Sequence, residues 1–340
     1  MQDLLSFPAE VKGNLSFDKL TILVFSPSLS CWGSDSKDRS LNERRIKKMF
    51  ISIENSLDLD PDFSNGVRSD LFLHHFRTSD GIDIQFGSVM PRRKKITDEV
   101  FLSAFGSSDD VENGFMYRYL PNEYAFRLEF NPNSTSLDSL SPVLNVFRKN
   151  SSSLSSELIR VARIDIAVDY DTSLLPGLVL CQGMRKGFCA YGSSGIESLY
   201  FGSRHSKFMF RLYNKRQEIF EKDGVDLGFD RWRLELESKE SFFLAGSLPD
   251  FRKVFNRVSF VDGAESSSDW ILDLIRQKAV SDGLESVLKM MPKSTAIRYR
   301  RFFRDQNSRR IESPVSTFDR EFDSKFQNLR FKILRSFGFC

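Results

Sequence analysis

The sequence predicts an α+β protein with a largely antiparallel central sheet, helices on one face of it and a helical C-terminal region. Three observations predict it. Short segments such as Arg163–Asp169 (RIDIAVD) and Arg233–Glu237 (RLELE) alternate apolar and polar residues with the period of a half-buried strand. Ser79-Asp80-Gly81 and Pro121-Asn122 are turn signals between such segments, so consecutive strands fold back as hairpins. Strands and helices do not alternate regularly as they would around a parallel sheet, and beyond Ser241 the pattern turns helical.

In chain order, Lys19–Phe25 reads as a buried strand. A loop rich in Ser and Asp follows, then a helix from Leu41 to Leu57 with Ser40 as N-cap and Glu43 at the capping-box position. Asp70–Arg77 and Ile82–Phe86 form one hairpin, Phe115–Leu120 and Tyr124–Phe130 a second. Ser136–Lys149 is helical and ends in a serine-rich joint at 151–156. Arg160–Tyr170, Ser198–Gly202, Lys207–Tyr213 and Arg231–Ser238 are strands. Helical segments follow over Ser247–Val258, Asp269–Asp282 and Leu284–Met291, and Pro292 separates them from a basic helical region starting at Ser294. The organisation expected is an N-terminal part over 1–120 that adds strands or a dimerisation surface, a core over 121–240, and a basic helical region over 241–340.

Bulk properties exclude several classes. No stretch approaches the ~20 apolar residues of a membrane span, and the start, Met1-Gln2-Asp3-Leu4-Leu5, lacks the pattern of a secretory leader. Cys31, Cys181, Cys189 and Cys340 show no paired spacing, so neither a zinc site nor a disulfide framework is expected and the cytoplasm is the default compartment. The 33 phenylalanines imply aromatic cores or stacking surfaces. The net charge of +3 is unevenly divided: residues 291–340 carry twelve Lys and Arg against five Asp and Glu, and the rest of the chain is mildly acidic. A basic tail on an acidic body suits a polyanionic partner, although a solvated helix face would look the same.

Four strands carry the same polarity. Arg127 and Glu129 share a face; so do Arg163, Asp165 and Asp169; so do Arg211 and Tyr213, with Lys215 read as continuing that strand; so do Arg233, Glu235 and Glu237. If the strands are neighbours, these faces merge into one surface of carboxylates, arginines and a tyrosine. A phenol ionises near pH 10 and needs positive charge or a metal beside it to act as a nucleophile, which makes Tyr213, flanked by Arg211 and Lys215, the candidate for attack on a phosphodiester. Glu129, Asp165 and Glu235 are the first candidates to ligate Mg²⁺ or Mn²⁺, with Asp169 and Glu237 second. The structural alternative is a salt-bridge ladder with Arg127, Arg163 and Arg233. His74 and His75 are adjacent on a strand, point to opposite faces and read as structural. Arg204 and His205, in the turn before the tyrosine strand, are candidate phosphate contacts.

The segment Ile297–Arg304 (IRYRRFFR) interleaves cations and rings. Arg298, Arg300, Arg301 and Arg304 could neutralise phosphates while Tyr299, Phe302 and Phe303 stack on bases. The alternative is a helix with its rings in the core and its arginines in water. Pro91–Lys95 (PRRKK) is either a phosphate contact or a solvated loop.

In matching order, Phe126–Pro132 (FRLEFNP), Arg163–Asp169, Tyr200–Arg204 (YFGSR), Arg211–Lys215 (RLYNK) and Arg233–Glu237 resemble the Rep_trans-type rolling-circle replication initiators of plasmids and phages. The resemblance implies a fold similar to that of the His-hydrophobic-His endonucleases without their motif. It implies a metal-dependent nickase-ligase that opens one strand of origin DNA through a 5′-phosphotyrosyl link, frees a 3′-OH and later rejoins the strand. By its context the nucleophile would be Tyr213, the ligands Glu129, Asp165 and Glu235. The partners implied are origin DNA, single-stranded at the nick, a second copy of the chain, and a host helicase or polymerase. Tyr170, Tyr191 and Tyr200 are candidates for the hydroxyl of a second transfer. A nuclease using water, and a non-catalytic DNA-binding regulator of the same fold, are the alternatives.

Overall fold

The structure, a computed structural model, describes residues 10–25, 72–79, 81–89, 123–136, 141, 159–172, 179–183, 187–192, 195–261, 269–305 and 310–338. The helix expected over Leu41–Leu57, the strand over Phe115–Leu120, nearly all of the helix over Ser136–Lys149 and the run Pro91–Lys95 lie outside the described residues. The strands are β1 (Asn14–Phe25), β2 (Phe72–Arg77), β3 (Asp83–Val89), β4 (Glu123–Phe130), β5 (Ile159–Asp171), β6 (Val179–Cys181), β7 (Gly187–Gly192), β8 (Gly195–Phe201), β9 (Phe208–Asn214), β10 (Arg231–Ser238), β11 (Phe242–Phe243) and β12 (Val258–Phe260). The helices are α1 (Lys215–Asp223), α2 (Phe251–Phe255), α3 (Trp270–Asp282), α4 (Leu284–Lys289), α5 (Lys293–Asp305) and α6 (Pro314–Ser336).

The architecture is the predicted one: a large antiparallel sheet with the order β2-β3-β4-β1-β5-β10-β9-β8-β7, β11 pairing beside it on β5, and helices that include the C-terminal region. The three strands before residue 90 belong to the same sheet as those that follow. The hairpin turn at Gly81 has φ +88°, a conformation that glycine adopts without a Cβ penalty.

β1 begins five residues before the predicted strand, and the reason is a break in its alternation. Leu15 and Phe17 are buried, then Leu20, Ile22 and Val24, so the apolar phase changes parity at Asp18. The pairing of β1 with β5 shifts register between Phe17 and Lys19. An extra residue in one strand re-aims the next side chains, and a period-2 reading stops there.

The apolar face of the sheet supplies Ile164, Ile166, Val168, Leu234, Leu236, Phe210 and Leu212, all with no accessible surface. Across it lies α6, whose Phe318, Phe322, Phe326, Leu329 and Ile333 recur at three- and four-residue intervals as one buried stripe. Phe322 stacks on Phe318 with ring centroids 4.3 Å apart and on Phe326 at 5.4 Å, and meets Phe17 of β1 edge-on at 5.9 Å. Much of the aromatic excess is therefore core. Ser313 caps α6, accepting from the Ser316 N–H at 3.2 Å, with Pro314 in the first turn.

Two segments differ from expectation. The stretch Ser247–Val258 is helical only over α2, and β12, which pairs with β6, takes over at Val258. Lys215 does not continue the tyrosine strand: Asn214 accepts from the Gln217 N–H at 3.1 Å and caps α1, so the chain turns helical at Lys215. Among the described residues no helix is long and apolar enough to cross a membrane.

Candidate active site

The register places the four polar faces side by side. Tyr213 of β9 lies opposite Arg233 of β10, Arg233 opposite Asp169 of β5, and Asp169 opposite Asn14 of β1. In the next rows Tyr200 of β8 pairs with Arg211, Arg211 with Glu235, and Glu237 with Asp165. Glu129 pairs with Thr21, and Thr21 with Arg163. Six strands thus contribute to one polar surface on the side of the sheet away from α6.

At its centre Glu235, 6 % exposed, accepts from Arg211 at 2.9 Å and from the Tyr213 hydroxyl at 3.3 Å. The Arg211 guanidinium lies over the Tyr213 ring, 4.2 Å from its centroid, and the Lys215 ammonium stands 5.8 Å from the same centroid. Lys215 reaches the ring from the first turn of α1 and is ion-paired with Glu218 at 2.5 Å. The electrostatics reverse one expectation. Burial and the Glu235 charge push the Tyr213 phenol above its usual range, and Arg233 and Arg211 offset this only in part. What the site offers the phenol at rest is a hydrogen-bond acceptor, not a net positive field.

Around this centre the acids and arginines interlock. Arg163 donates to Asp165 at 2.8 and 2.5 Å and also pairs with Glu237 at 2.7 Å, where Lys239 joins at the same distance. Arg233 holds Asp169 through two bonds, at 2.6 and 2.8 Å, and reaches Asp18 at 2.8 Å. Glu129 is paired with Lys19 at 2.5 Å and Arg127 at 2.9 Å and accepts from Thr21 at 3.0 Å. The salt-bridge ladder is therefore present, and the sequence missed Asp18, Lys19, Thr21 and Lys239 as members. Of these, Asp18 gave no signal because it sits at the register shift.

The three carboxylates expected to ligate a metal do not converge. Glu129 lies on β4, separated from Asp165 by β1, and among the described residues no three His, Cys, Asp or Glu side chains group closely enough to hold an ion. The donor chemistry fits a cation at one place. Burial pushes the Asp165 carboxyl up to about 6; Arg163 draws it down, while the charges of Glu235 and Glu237 add to the rise. Mg²⁺ commonly takes one or two carboxylates and completes its shell with water and phosphate oxygens, so Asp165 with Glu235 or Glu237 suffices.

The other tyrosines divide by face. Tyr170 is buried on the apolar side against Phe260, Tyr191 is exposed, and Tyr200 is half-buried on the polar face beside Arg211. Arg204 and His205 are exposed in the β8–β9 turn, at the far end of β9 from Tyr213. On α5, Tyr299 and Phe303 are buried in a small core with Leu272, Ile275 and Leu288. Arg300 makes two bonds to Glu285, at 3.2 and 2.9 Å, and Arg298 pairs with Asp269 at 3.5 Å, while Arg301 is exposed. Phe302, 36 % exposed, is the ring of this segment left partly open to stacking. Arg304 lies in the last turn of α5.

Residues 193–245 match the family model Rep_trans, described as replication initiation factor. That span contains Tyr200–Arg204, Arg211–Lys215 and Arg233–Glu237, so the resemblance drawn from these motifs is borne out. Proteins of Staphylococcus aureus named replication initiation protein are 32% identical to this chain over 117 residues, which is 33% of this chain and 35% of theirs. A second such protein is 32% identical over 115 residues. The matched segment thus spans about a third of the length of these relatives. A solved structure of a rolling circle replication initiator protein from Geobacillus stearothermophilus aligns over 80% of this chain and 98% of that one, with 13% sequence identity and a TM-score of 0.37.

Proposed function

We propose that this chain, matched to the replication initiation factor family, initiates rolling-circle DNA replication by nicking and rejoining one strand through a phosphotyrosine. The observation that carries the reading is the Tyr213–Glu235 hydrogen bond under the Arg211 guanidinium, with Arg233 opposite Tyr213 on the neighbouring strand. In the forward step the Tyr213 oxygen attacks the scissile phosphorus and Glu235 takes the phenolic proton. The P–O3′ bond breaks, the departing 3′ oxygen takes a proton from water, Glu235 gives its proton back to solvent, and the 5′ phosphate stays on the tyrosine. Arg211 and Arg233 stabilise the charge that leaves the phenol. Attack by a 3′-OH reverses the sequence and reseals the strand. A divalent ion at Asp165, Mg²⁺ or Mn²⁺, would polarise the phosphate. Two transfers per cycle call for a second hydroxyl or a second copy of the chain.

A specific observation favours a second reading of the nucleophile. Tyr213 is 5 % exposed, whereas Tyr200 is more open on the same face and shares Arg211. In that reading Tyr200 attacks, and Tyr213 holds Glu235 in place.

The test is incubation of Tyr213→Phe, Tyr200→Phe and wild type with supercoiled origin DNA and Mn²⁺, followed by mass-spectrometric mapping of the residue bound to DNA. Loss of the SDS-resistant adduct in Tyr213→Phe, with the link mapped to Tyr213 in wild type, is expected. A link on Tyr200 selects the second reading. Nicking without any adduct makes water the nucleophile, and no nicking of a cognate origin makes the chain a binding protein.

A further inference from the structure

Among the described residues, part of one edge of β1 has no strand beside it. Residues 14–17 pair with β5 on one side, but β4 joins β1 only from Leu20 onward. The turn after β4 covers some of this edge, with the Asn133 amide donating to the Phe17 carbonyl at 2.8 Å. From the other side Lys325 of α6 donates to the Leu15 carbonyl at 2.5 Å and to the Asn14 amide oxygen at 3.0 Å. Between the turn, the strand and the helix runs an open groove of about 870 Å³.

Over a floor of Leu15, Phe17, Pro132 and Leu329, its lining is cationic and polar. Lys325, Asn328, Lys332 and Arg335 recur at three- and four-residue intervals along α6, one stripe about 15 Å long at 1.5 Å per residue. Facing them are amides and hydroxyls, Asn133, Thr135 and Ser136 among them, and no Asp or Glu lines the groove among the described residues. Lys325 is paired with Glu321, at 2.7 Å, but Lys332 and Arg335 are exposed and form no ion pair among the described residues. The groove also holds Ser16, whose buried hydroxyl has no hydrogen-bond partner. Lys332 and Arg335, without a carboxylate partner among the described residues and backed by neutral donors, suit a chain of phosphates. The polar surface around Glu235 differs, since there each cation meets an acid.

Position supplies the second argument. Asn14, at the lip of the groove, ends the row that begins at Tyr213 and passes through Arg233 and Asp169. Three strand spacings separate the two ends, about 14 Å at 4.8 Å each. At 3.4 Å per nucleotide of one strand, a phosphate at Asn14 lies about four nucleotides from one held at Tyr213, and the α6 stripe continues from there on the other side of the sheet, starting at Lys325.

We propose that this groove binds the sugar-phosphate backbone of the DNA flanking the transfer site, independently of base sequence. It would act as the platform that holds the substrate while the polar surface does the chemistry. The proposal rests on the reading of the protein as a strand transferase for the identity of the ligand, and the α6 stripe is distinct from the α5 arginines singled out in the sequence.

Because binding to phosphates carries no sequence information, the test needs no cognate origin. The full chain is titrated with a short fluorescent duplex of arbitrary sequence at several salt concentrations. Replacing Lys332 and Arg335 by Ala is expected to reduce the slope of log K against log salt by about 1.8, at 0.9 for each phosphate no longer neutralised. Asn328→Asp, which places a negative charge in the groove, is an independent variant and weakens duplex binding in the same way. A slope unchanged in the double variant overturns the proposal. So does a thermal shift with inorganic pyrophosphate that the double variant abolishes while duplex binding persists, since the groove would then serve a small anion. Failure of the strand-transfer reading looks different: wild type binds the duplex with the expected slope and forms no adduct on any DNA.

Discussion

Tyr213 and Glu235 meet diagonally across neighbouring antiparallel strands, the phenol donating to the carboxylate at 3.3 Å. The residue directly opposite Tyr213 is Arg233, and the one directly opposite Glu235 is Arg211. Each member of the pair therefore has a guanidinium beside it and a hydrogen-bond partner on the diagonal. The arrangement keeps the phenol protonated at rest while holding a base within reach of its proton. On the proposed strand-transfer reading, activation would come with the substrate, when a phosphate draws part of the arginine charge toward the reacting oxygen.

Glu235→Gln keeps the volume and an oxygen for Arg211 but removes the base. We expect the single-turnover rate of adduct formation to fall by about 10²–10⁴-fold, the usual worth of a positioned general base. Thermal unfolding should change little by comparison. A variant that forms adduct at the wild-type rate would mean that Glu235 only braces Arg211.

Asp165 makes stability depend on pH in a direction opposite to the usual carboxylate. Its folded-state acidity is weakened from 3.8 to about 6, so the folded protein holds this proton more tightly than the unfolded chain. The stability it contributes is full below about pH 4 and is lost as pH rises through about 6, by up to about 3 kcal/mol. Glu129, Glu312 and Glu321 act the other way. Against the pull of burial, Lys19, Arg320 and Lys325 respectively hold them below 4.5, so their contribution is lost as pH falls under that value. These are common to wild type and Asp165→Asn and cancel in the difference. Urea unfolding of both proteins in EDTA should therefore show wild type losing stability relative to the variant between pH 4 and 6. At pH 7, Mn²⁺ should raise the melting temperature of wild type and leave that of Asp165→Asn unmoved. Equal responses would place the ion elsewhere.

What can be read in the sequence follows from periodicity. Strands whose alternation is unbroken, such as Arg231–Ser238, are placed to the residue, and their shared polar face follows. The site is legible as a face but not as a set of partners. Register decides that Arg233 meets Asp169 and Tyr213, and that Glu129 stands a strand away from Asp165. No property of the individual strands encodes this. Asp18 is invisible for a related reason: the shift that brings its carboxylate to Arg233 is the one that breaks the pattern. In the basic tail, cations and rings alternate along the sequence but separate on the helix, which sends Tyr299 and Phe303 inward.

Arg233→Ala tests how far that buried network supports the sheet. Arg233 is 8 % exposed and is the guanidinium shared by Asp169 and Asp18. Its removal leaves two largely buried carboxylates facing each other, which costs about 3–5 kcal/mol. Chemical denaturation at pH 7 measures it. A cost below about 1 kcal/mol, typical of exposed ion pairs, would show that water already reaches the pair.

Phe322 and Phe302 are the same residue type in two different physical roles, and substituting each by Ala separates core from surface. Phe322 is 3 % exposed and touches rings on both sides along α6 and Phe17 across on β1. Its truncation removes the transfer energy of the ring and leaves a cavity that stacked neighbours fill poorly, so a cost of about 3–5 kcal/mol is expected in urea unfolding. Phe302 is 36 % exposed and packs edge-on against Phe303 alone among the described rings. Its truncation should cost about 0.5 kcal/mol or less in stability. If Phe302 stacks on an unpaired base, the same variant should weaken single-strand binding by about 1–3 kcal/mol. The two measurements cross: Phe322→Ala unfolds more easily yet binds normally while folded, and Phe302→Ala is as stable as wild type yet binds a single strand less tightly. Unchanged binding in Phe302→Ala would assign the ring to the surface alone and leave recognition to the sheet and the α6 groove.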